Sequence, residues 1–335
     1  MPTIDLRTGA SYPPRPTDYI TKATAVKPGG ECPKWHAFLD KVTGGDAALK
    51  DYLQRVAGYC CAGLTNEHAL FFLYGTGANG KGVFVNTLAA VLGDYAVTAP
   101  MDTFLVSKGD RHPTDLAGLR GARLVIAQEP DKGARWAEAK IKTLTGGDKI
   151  SARFMRQDFF EFTVTFKIMI TGNQKPSLSG VNEAIRRRFH LIPFSVTIPR
   201  EERDKDLFDK LKPEWPGILQ WMVDGCALWR QRGLAPPKAV TEATEAYLTE
   251  EDALALWIEE CCETDSKYYW ETSARLWGSW KTWAERRNEN VGSQKSLGQA
   301  LDEIGYRPSR SQAARGHEGI KLKPHPDERE RADLR

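Results

Sequence analysis

Between Trp35 and Val56 the apolar residues fall at helical spacing, as Trp35, Phe38, Leu39 and Val42 and then Leu49, Leu53 and Val56, with polar positions between them. A stripe recurring every three to four residues predicts amphipathic helices that bury one face, and residues 35 to 64 are expected to be helical. From Leu70 the texture changes to short apolar runs cut by glycine, at 69 to 74, 123 to 127 and 166 to 171. Runs this short and this apolar predict strands buried in a sheet between helices. After Phe194 the helical pattern returns, at 207 to 211 and 218 to 229, until Pro236 and Pro237 break it. An acidic helix over about 240 to 262 is expected as a connector. The last segment opens on Thr272 and Ser273 as N-cap candidates and sets Leu276, Trp280 and Trp283 on one helix face. A second helix near Ser293 to Ile304 precedes a basic, two-stranded tail through Ile320 and Leu322. Residues 1 to about 30, rich in Pro, Gly and Thr, predict an extended arm.

Composition narrows this only a little. The chain has 335 residues, enough for about two domains. Its longest apolar runs fall well short of the roughly 18 residues of a membrane span, and its start has no signal-peptide core, so a cytoplasmic protein without membrane contact is expected. The six cysteines form no CxxC and have no histidine at zinc spacing, which predicts buried free thiols. A net charge of +3 is too small to identify a nucleic-acid partner by itself.

The specific signal is the segment Gly75-Thr76-Gly77-Ala78-Asn79-Gly80-Lys81-Gly82 with Val83, lying between an apolar strand and a helix. Glycines let backbone amides turn toward phosphate oxygens, the helix offers its N-terminus to negative charge, and Lys81 is placed for the outer phosphates. ATP with Mg2+ is the expected ligand. Gly82 stands where such loops carry Ser or Thr, removing the hydroxyl that ligates magnesium; a water could replace it, since magnesium keeps several.

Glu129 ends the strand 123 to 128 and is the candidate for metal and general-base work; a capping or surface glutamate is the plainer alternative. Asn173 follows the strand 166 to 171, where it is either a turn residue or a sensor of the terminal phosphate. Arg186, Arg187 and Arg188 precede another apolar run, and arginine is the residue that neutralises charge on a transferring phosphoryl group, often from a neighbouring subunit.

The motifs YGTGANGKG, RLVIAQE, LTGGDKISARFMRQDFFEF, FKIMITGN and AIRRRFHLIPF resemble, in order and spacing, the superfamily 3 helicase domain of phage and poxvirus primase-helicases over about residues 1 to 230. The resemblance implies an α/β fold, an AAA+ type P-loop NTPase core with an N-terminal helical domain and a C-terminal winged-helix-like domain. It implies a ring, typically a hexamer, translocating on single-stranded DNA at a forked duplex, with 3′ to 5′ unwinding. Lys81 would be its phosphate-loop lysine, Glu129 the metal-proximal acid, Asn173 the polar sensor, and Arg187 and Arg188 the finger. Gln128 departs from the second acid that many members carry. The corresponding boundaries are an arm and helical domain at 1 to 68, the ATPase core at 69 to 235, a connector at 236 to 265 and the last domain at 266 to 335.

Residues 149 to 162 read by themselves as two short strands around a polar turn; the family places a DNA-gripping hairpin there. Lys149, Arg153 and Arg156 would then contact phosphates, with Phe154 or Met155 near the tip. The C-terminal segment is similar to winged-helix modules, where Lys295, Gln299, Arg307 and Arg310 could touch duplex DNA, although such modules also dock proteins. No paired strand acids of a polymerase or primase are present, so the helicase part alone is expected, with a primase or polymerase as partner. Two other functions fit: a P-loop ATPase that remodels proteins or packages DNA, and a weakly hydrolysing replication-initiation scaffold.

Overall fold

The structure, a computed structural model, describes residues 1–106, 114–130, 134–178, 181–311 and 314–324. It divides into two compact units, the first running to Leu248 and the second from Thr249.

In the first unit β1 (Thr3–Ile4) and β2 (Ser11–Tyr12) pair antiparallel in the arm. There follow α1 (Pro33–Thr43), α2 (Ala47–Cys61), β3 (Leu70–Tyr74), α3 (Lys81–Leu92), β4 (Ala96–Thr98), α4 (Thr114–Ala117) and β5 (Leu124–Gln128). Next come α5 (Glu138–Gly146), β6 (Lys149–Ala152), β7 (Phe160–Thr163), β8 (Lys167–Gly172), α6 (Glu183–Arg186) and β9 (Phe189–Pro193). The unit closes with α7 (Leu207–Leu211), α8 (Trp215–Arg232) and α9 (Lys238–Glu250).

Five strands form one parallel sheet in the order β4-β5-β8-β3-β9. All six residues of β8 are buried, as expected of a central strand covered on both faces. The chain leaves β3 for the far edge at β4, whereas the connection from β8 crosses β3 to reach β9. The connections leaving β3 and β8 therefore run in opposite directions, the kind of position at which open parallel sheets bind ligands.

Residues 1–68, expected as a helical domain of their own, share one hydrophobic core with the sheet. Trp35 of α1 is fully buried and stacks on Phe84 of α3 with ring centroids 5.7 Å apart. An amphipathic stripe shows that a face is buried but not against what, and here the partner is the core around the parallel sheet. Asp46 caps α2 by accepting from the amides of Ala48 and Leu49. The same helix meets α8 at glycines: a Cβ on Gly58 would lie 2.0 Å from the Cys226 nitrogen.

The expected single connector helix is two. Asp252 interrupts it by accepting from the Ala255 amide, so that α9 ends at Glu250 and α10 (Ala253–Cys261) begins the second unit. There follow β10 (Cys262–Glu263), β11 (Trp270–Thr272), α11 (Ser273–Arg287), α12 (Gln294–Glu303), β12 (Pro308–Arg310), β13 (Arg315–Glu318) and β14 (Lys321–Leu322). An antiparallel sheet runs β11-β13-β12, and β10 pairs with β14. Its core holds Trp257, Leu276, Trp280, Trp283, Leu297, Leu301 and Ile320. Thr272 and Ser293 cap α11 and α12.

All six cysteines are free thiols. Burial pushes Cys60 up to about 12, which keeps it protonated and inert. Among the described residues no helix is long and apolar enough to cross a membrane.

Candidate functional site

The phosphate-type loop leaves β3 at Tyr74, and α3 starts at Lys81 with Gly80 as N-cap at φ 85°. Gly80 is required twice over, by that left-handed backbone and because a Cβ there would lie 2.5 Å from Val42 and 2.9 Å from Phe38 of α1. Helix α1 thus underlies the loop directly. In the first turn of α3 the Lys81 amide meets Asn79 Oδ1 at 3.5 Å, while those of Gly82 and Val83 have no intrahelical acceptor and suit an anion.

Asn79, 3% exposed, organises the loop from within. Its Nδ2 donates to the carbonyl of Phe194 at 3.0 Å and to that of Thr76, while its Oδ1 accepts from Lys81 Nζ at 3.2 Å. The amide of Ile198 donates to the Ala78 carbonyl at 2.9 Å, and the hydroxyls of Thr76 and Thr197 lie 3.3 Å apart. The segment leaving β9 is therefore a brace for the loop. Sequence reasoning placed Asn79 in the loop but missed this role and the brace, because only the adjacency of β3 and β9 reveals them.

Lys81 Nζ also donates to the Gly75 carbonyl at 2.7 Å and to Asn173 Oδ1 at 3.1 Å. Burial lowers its pKa, and the negative charge of Glu129 acts in the opposite direction. Asn173 is exposed one residue past β8, so loop lysine and candidate sensor meet at adjacent strand ends.

Glu129 is exposed one residue past β5, with its amide donating to the Thr171 carbonyl at 2.8 Å. Its φ of 48° is uncommon for a residue other than glycine, and such backbone clusters at functional sites. Gln128 points elsewhere, donating to Asn86 Oδ1 on α3 at 3.2 Å.

The two finger candidates separate. Arg187 is exposed at the end of α6. Arg188 is 6% exposed, and its guanidinium donates to Thr145 Oγ1 at 3.0 Å and to the Ala184 carbonyl at 2.6 Å. Burial, with Arg187 beside it, lowers its pKa. A side chain so enclosed in its own subunit cannot reach a neighbour's nucleotide, which corrects the expectation for Arg188.

Strands β6 and β7 form an antiparallel hairpin with Lys149 opposite Thr163 and Ala152 opposite Phe160. Lys149 and Arg156 are exposed, Arg156 at φ 62° in the turn. Arg153 is half-buried, with its guanidinium 4.6 Å from the Phe159 ring centroid, so it braces the hairpin instead of standing free. Phe154 and Met155, expected near the tip, are both exposed, and so is Phe159.

Comparison with known proteins accords with this geometry. Residues 73–188 match a family of unknown function (DUF5906), and residues 3–44 match the family described as D5 N terminal like. The chain is 29% identical over 234 residues to a putative helicase of Acanthamoeba polyphaga mimivirus, a match that covers 63% of this chain. It spans about a quarter, 24%, of that relative's length. Two apo structures of the NrS-1 C-terminal region share the fold. One aligns at TM-score 0.54 and 14% identity over 92% of this chain and 70% of that one. The other aligns at TM-score 0.53 and 11% identity over 96% and 82%. The first unit is thus a mixed α/β, P-loop-like core on a parallel sheet.

Proposed function

We propose that this chain is an ATP-driven DNA helicase of a phage or other mobile element, assembling as a ring, a hexamer in the manner of the family it resembles. The observation that carries this reading is the meeting of Lys81 and Asn173 at the carboxyl end of the sheet, with Glu129 at the end of the next strand but one from β3. The loop amides and Lys81 hold the phosphates. Glu129 takes the proton of the attacking water, Asn173 orients that water, and Arg187 enters the neighbouring subunit's site, where its charge counts only in the assembled ring.

The residues fit magnesium held largely through water. Glu129 offers one exposed carboxylate, Gly82 offers no hydroxyl, and among the described residues no three His, Cys, Asp or Glu side chains cluster as a protein cage. Bound there, magnesium would neutralise phosphate charge.

Lys149 and Arg156 grip the phosphates of a single strand, and the apolar tip stacks on its bases. In the second unit the helices α11 and α12, lying in sequence between β11 and the β12–β13 pair of one antiparallel sheet, support a winged-helix module. Its exposed Lys295, Gln299, Arg307 and Arg310 suit the duplex side of a fork. A primase or polymerase partner in the host cytoplasm completes the reading.

The test is ATP turnover by the full chain with and without single-stranded DNA, with Lys81→Ala alongside. Stimulation by DNA and loss of turnover in Lys81→Ala are expected. The exposed Phe154, Met155 and Phe159 favour one second reading, a protein remodeller, which stimulation by unfolded polypeptide instead of DNA would establish. Nucleotide binding without turnover would favour the replication-initiation scaffold, in which Gly82 has left the ATPase weak.

A further inference from the structure

Three segments at the carboxyl end of the sheet carry the proposed machinery: the loop after β3, the Glu129 segment after β5 and the Asn173 segment after β8. One side chain of α9 bonds to residues following β5 and β8 and packs against Lys175, which in turn neighbours Tyr74 at the end of β3. The Tyr247 hydroxyl, in a residue 1% exposed, accepts from Trp136 Nε1 at 2.9 Å and donates to the Pro176 carbonyl. Lys175 Nζ lies 5.1 Å from the Tyr247 ring centroid and 5.4 Å from that of Tyr74, the last residue before the phosphate loop. The segments after β5 and β8 are also paired with each other, since the Trp136 amide donates to the Ser177 carbonyl at 3.0 Å and the Ser177 amide to the Ala134 carbonyl at 2.9 Å. Asn173 lies two residues before Lys175 in this same braced segment.

The neighbouring positions of α9 hold the finger and the edge strand. Glu245 forms an ion pair with Arg186, the residue before Arg187. Thr244 Oγ1 accepts from the Leu191 amide of β9 at 3.0 Å. Strand β9 runs on into the brace that holds the phosphate loop. A helix needed only to cover the sheet would present apolar side chains here; α9 instead presents a hydroxyl, a carboxylate and a second hydroxyl to three functional segments.

We infer that Tyr247 and Glu245 are positioning residues that hold the Asn173 segment against residues 134–136 and orient Arg187 for the adjacent site, an inference that rests on the ATPase reading above. The bonds of Tyr247 and Glu245 named above go to Trp136, Pro176 and Arg186, none of them in the loop that binds nucleotide in its ground state. Asn173 and Arg187 act on the attacking water and the transferring group, where a displacement of about 1 Å costs on the order of a hundredfold. Disturbing α9 therefore lowers kcat and spares KM.

Tyr247→Phe keeps the ring, its packing and the Lys175 contact and removes only the bridging hydroxyl. With the full chain and single-stranded DNA, kcat should fall by at least about fivefold while KM for ATP stays within about twofold. Glu245→Arg should lower kcat similarly, and Arg186→Glu with Glu245→Arg should restore at least about half of it. The side chains of this pair are 36% and 54% exposed, so its loss should barely move the melting temperature, which separates positioning from structural support. A Tyr247→Phe protein that melts lower but turns over normally per folded molecule would overturn the inference, as would a charge reversal that rescues nothing. A wild-type chain with no ATP turnover would remove the ATPase reading and this inference together, whereas normal turnover in both single variants removes the inference alone.

Discussion

Arg187→Ala and Arg188→Ala, one residue apart, should fail in opposite ways. Arg188 makes two charge-assisted hydrogen bonds inside its own subunit, to Thr145 Oγ1 and to the Ala184 carbonyl. Each such bond contributes about 1.5–3 kcal/mol. Burying the guanidinium offsets part of this, as its lowered pKa indicates, so the net loss on truncation is about 2–4 kcal/mol. The Arg188 carbonyl accepts from the Leu70 amide at the start of β3, so the damage should be read at that sheet edge. Hydrogen exchange on peptides spanning β3 and β9 should accelerate by about thirtyfold to several hundredfold, at about 1.4 kcal/mol per tenfold. Arg187, exposed, should change the same exchange by no more than about twofold, or about 0.5 kcal/mol, and should instead abolish activity of the assembled ring while each subunit still binds nucleotide. Mixing Arg187→Ala with Glu129→Gln subunits should regain activity that neither has alone. Equal exchange in the two variants, or a stable Arg188→Ala protein with a dead ring, would refute the assignment.

Glu129→Gln should preserve ATP binding and slow turnover by at least about a hundredfold, as single-turnover measurements will show; parallel loss of both would make Glu129 structural. Lys149→Ala with Arg156→Ala should uncouple ATP turnover from unwinding and flatten the salt dependence of single-strand binding, an unchanged slope placing the DNA path elsewhere. His190, half-buried with Nδ1 2.8 Å from the Tyr52 hydroxyl, is held down at about 4 by desolvation. Between the unfolded value of about 6.5 and the folded one of about 4 the unfolded chain binds more protons, so stability should fall as pH drops through that window, by about 3 kcal/mol in all. His190→Asn should flatten the urea midpoint against pH over the same range.

Local features were legible in the sequence and pairing was not. The glycine-rich loop, its strand and its helix announce themselves because the chemistry lies within consecutive residues, and the runs around 69 to 74, 123 to 127 and 166 to 171 coincide with β3, β5 and β8. Three things needed the fold. The Phe194 to Ile198 brace touches the loop only because β9 lies beside β3. Arg187 and Arg188 are indistinguishable in a run of three arginines, and only the turn after α6 buries one of them against Thr145, more than forty residues away. Tyr247 sits in an acidic helix whose pattern predicts only a connector, and its bonds reach residues 71 and 111 positions distant. Apolar periodicity reports that a face is covered without naming what covers it, which is also why the N-terminal helices were expected as a domain apart.

Gly82→Ser addresses the one place where the loop departs from its pattern. Gly82 is exposed in the first turn of α3, and a Cβ there meets no atom within 4 Å, so the side chain fits without displacing anything. Glycine in a helix costs up to about 1 kcal/mol relative to Ala, so serine should leave folding unharmed or slightly improved. If a water fills the magnesium position that a loop hydroxyl otherwise takes, the new hydroxyl should displace it and hydrolysis should reach half its maximum at lower magnesium concentration. Nucleotide affinity measured without magnesium should stay the same, because the amides and Lys81 are untouched. A folded Gly82→Ser protein with unchanged or weaker magnesium dependence would contradict this account. The open space beside Gly82 would then serve the close approach of phosphate to backbone, and Glu129 with waters would complete the metal shell.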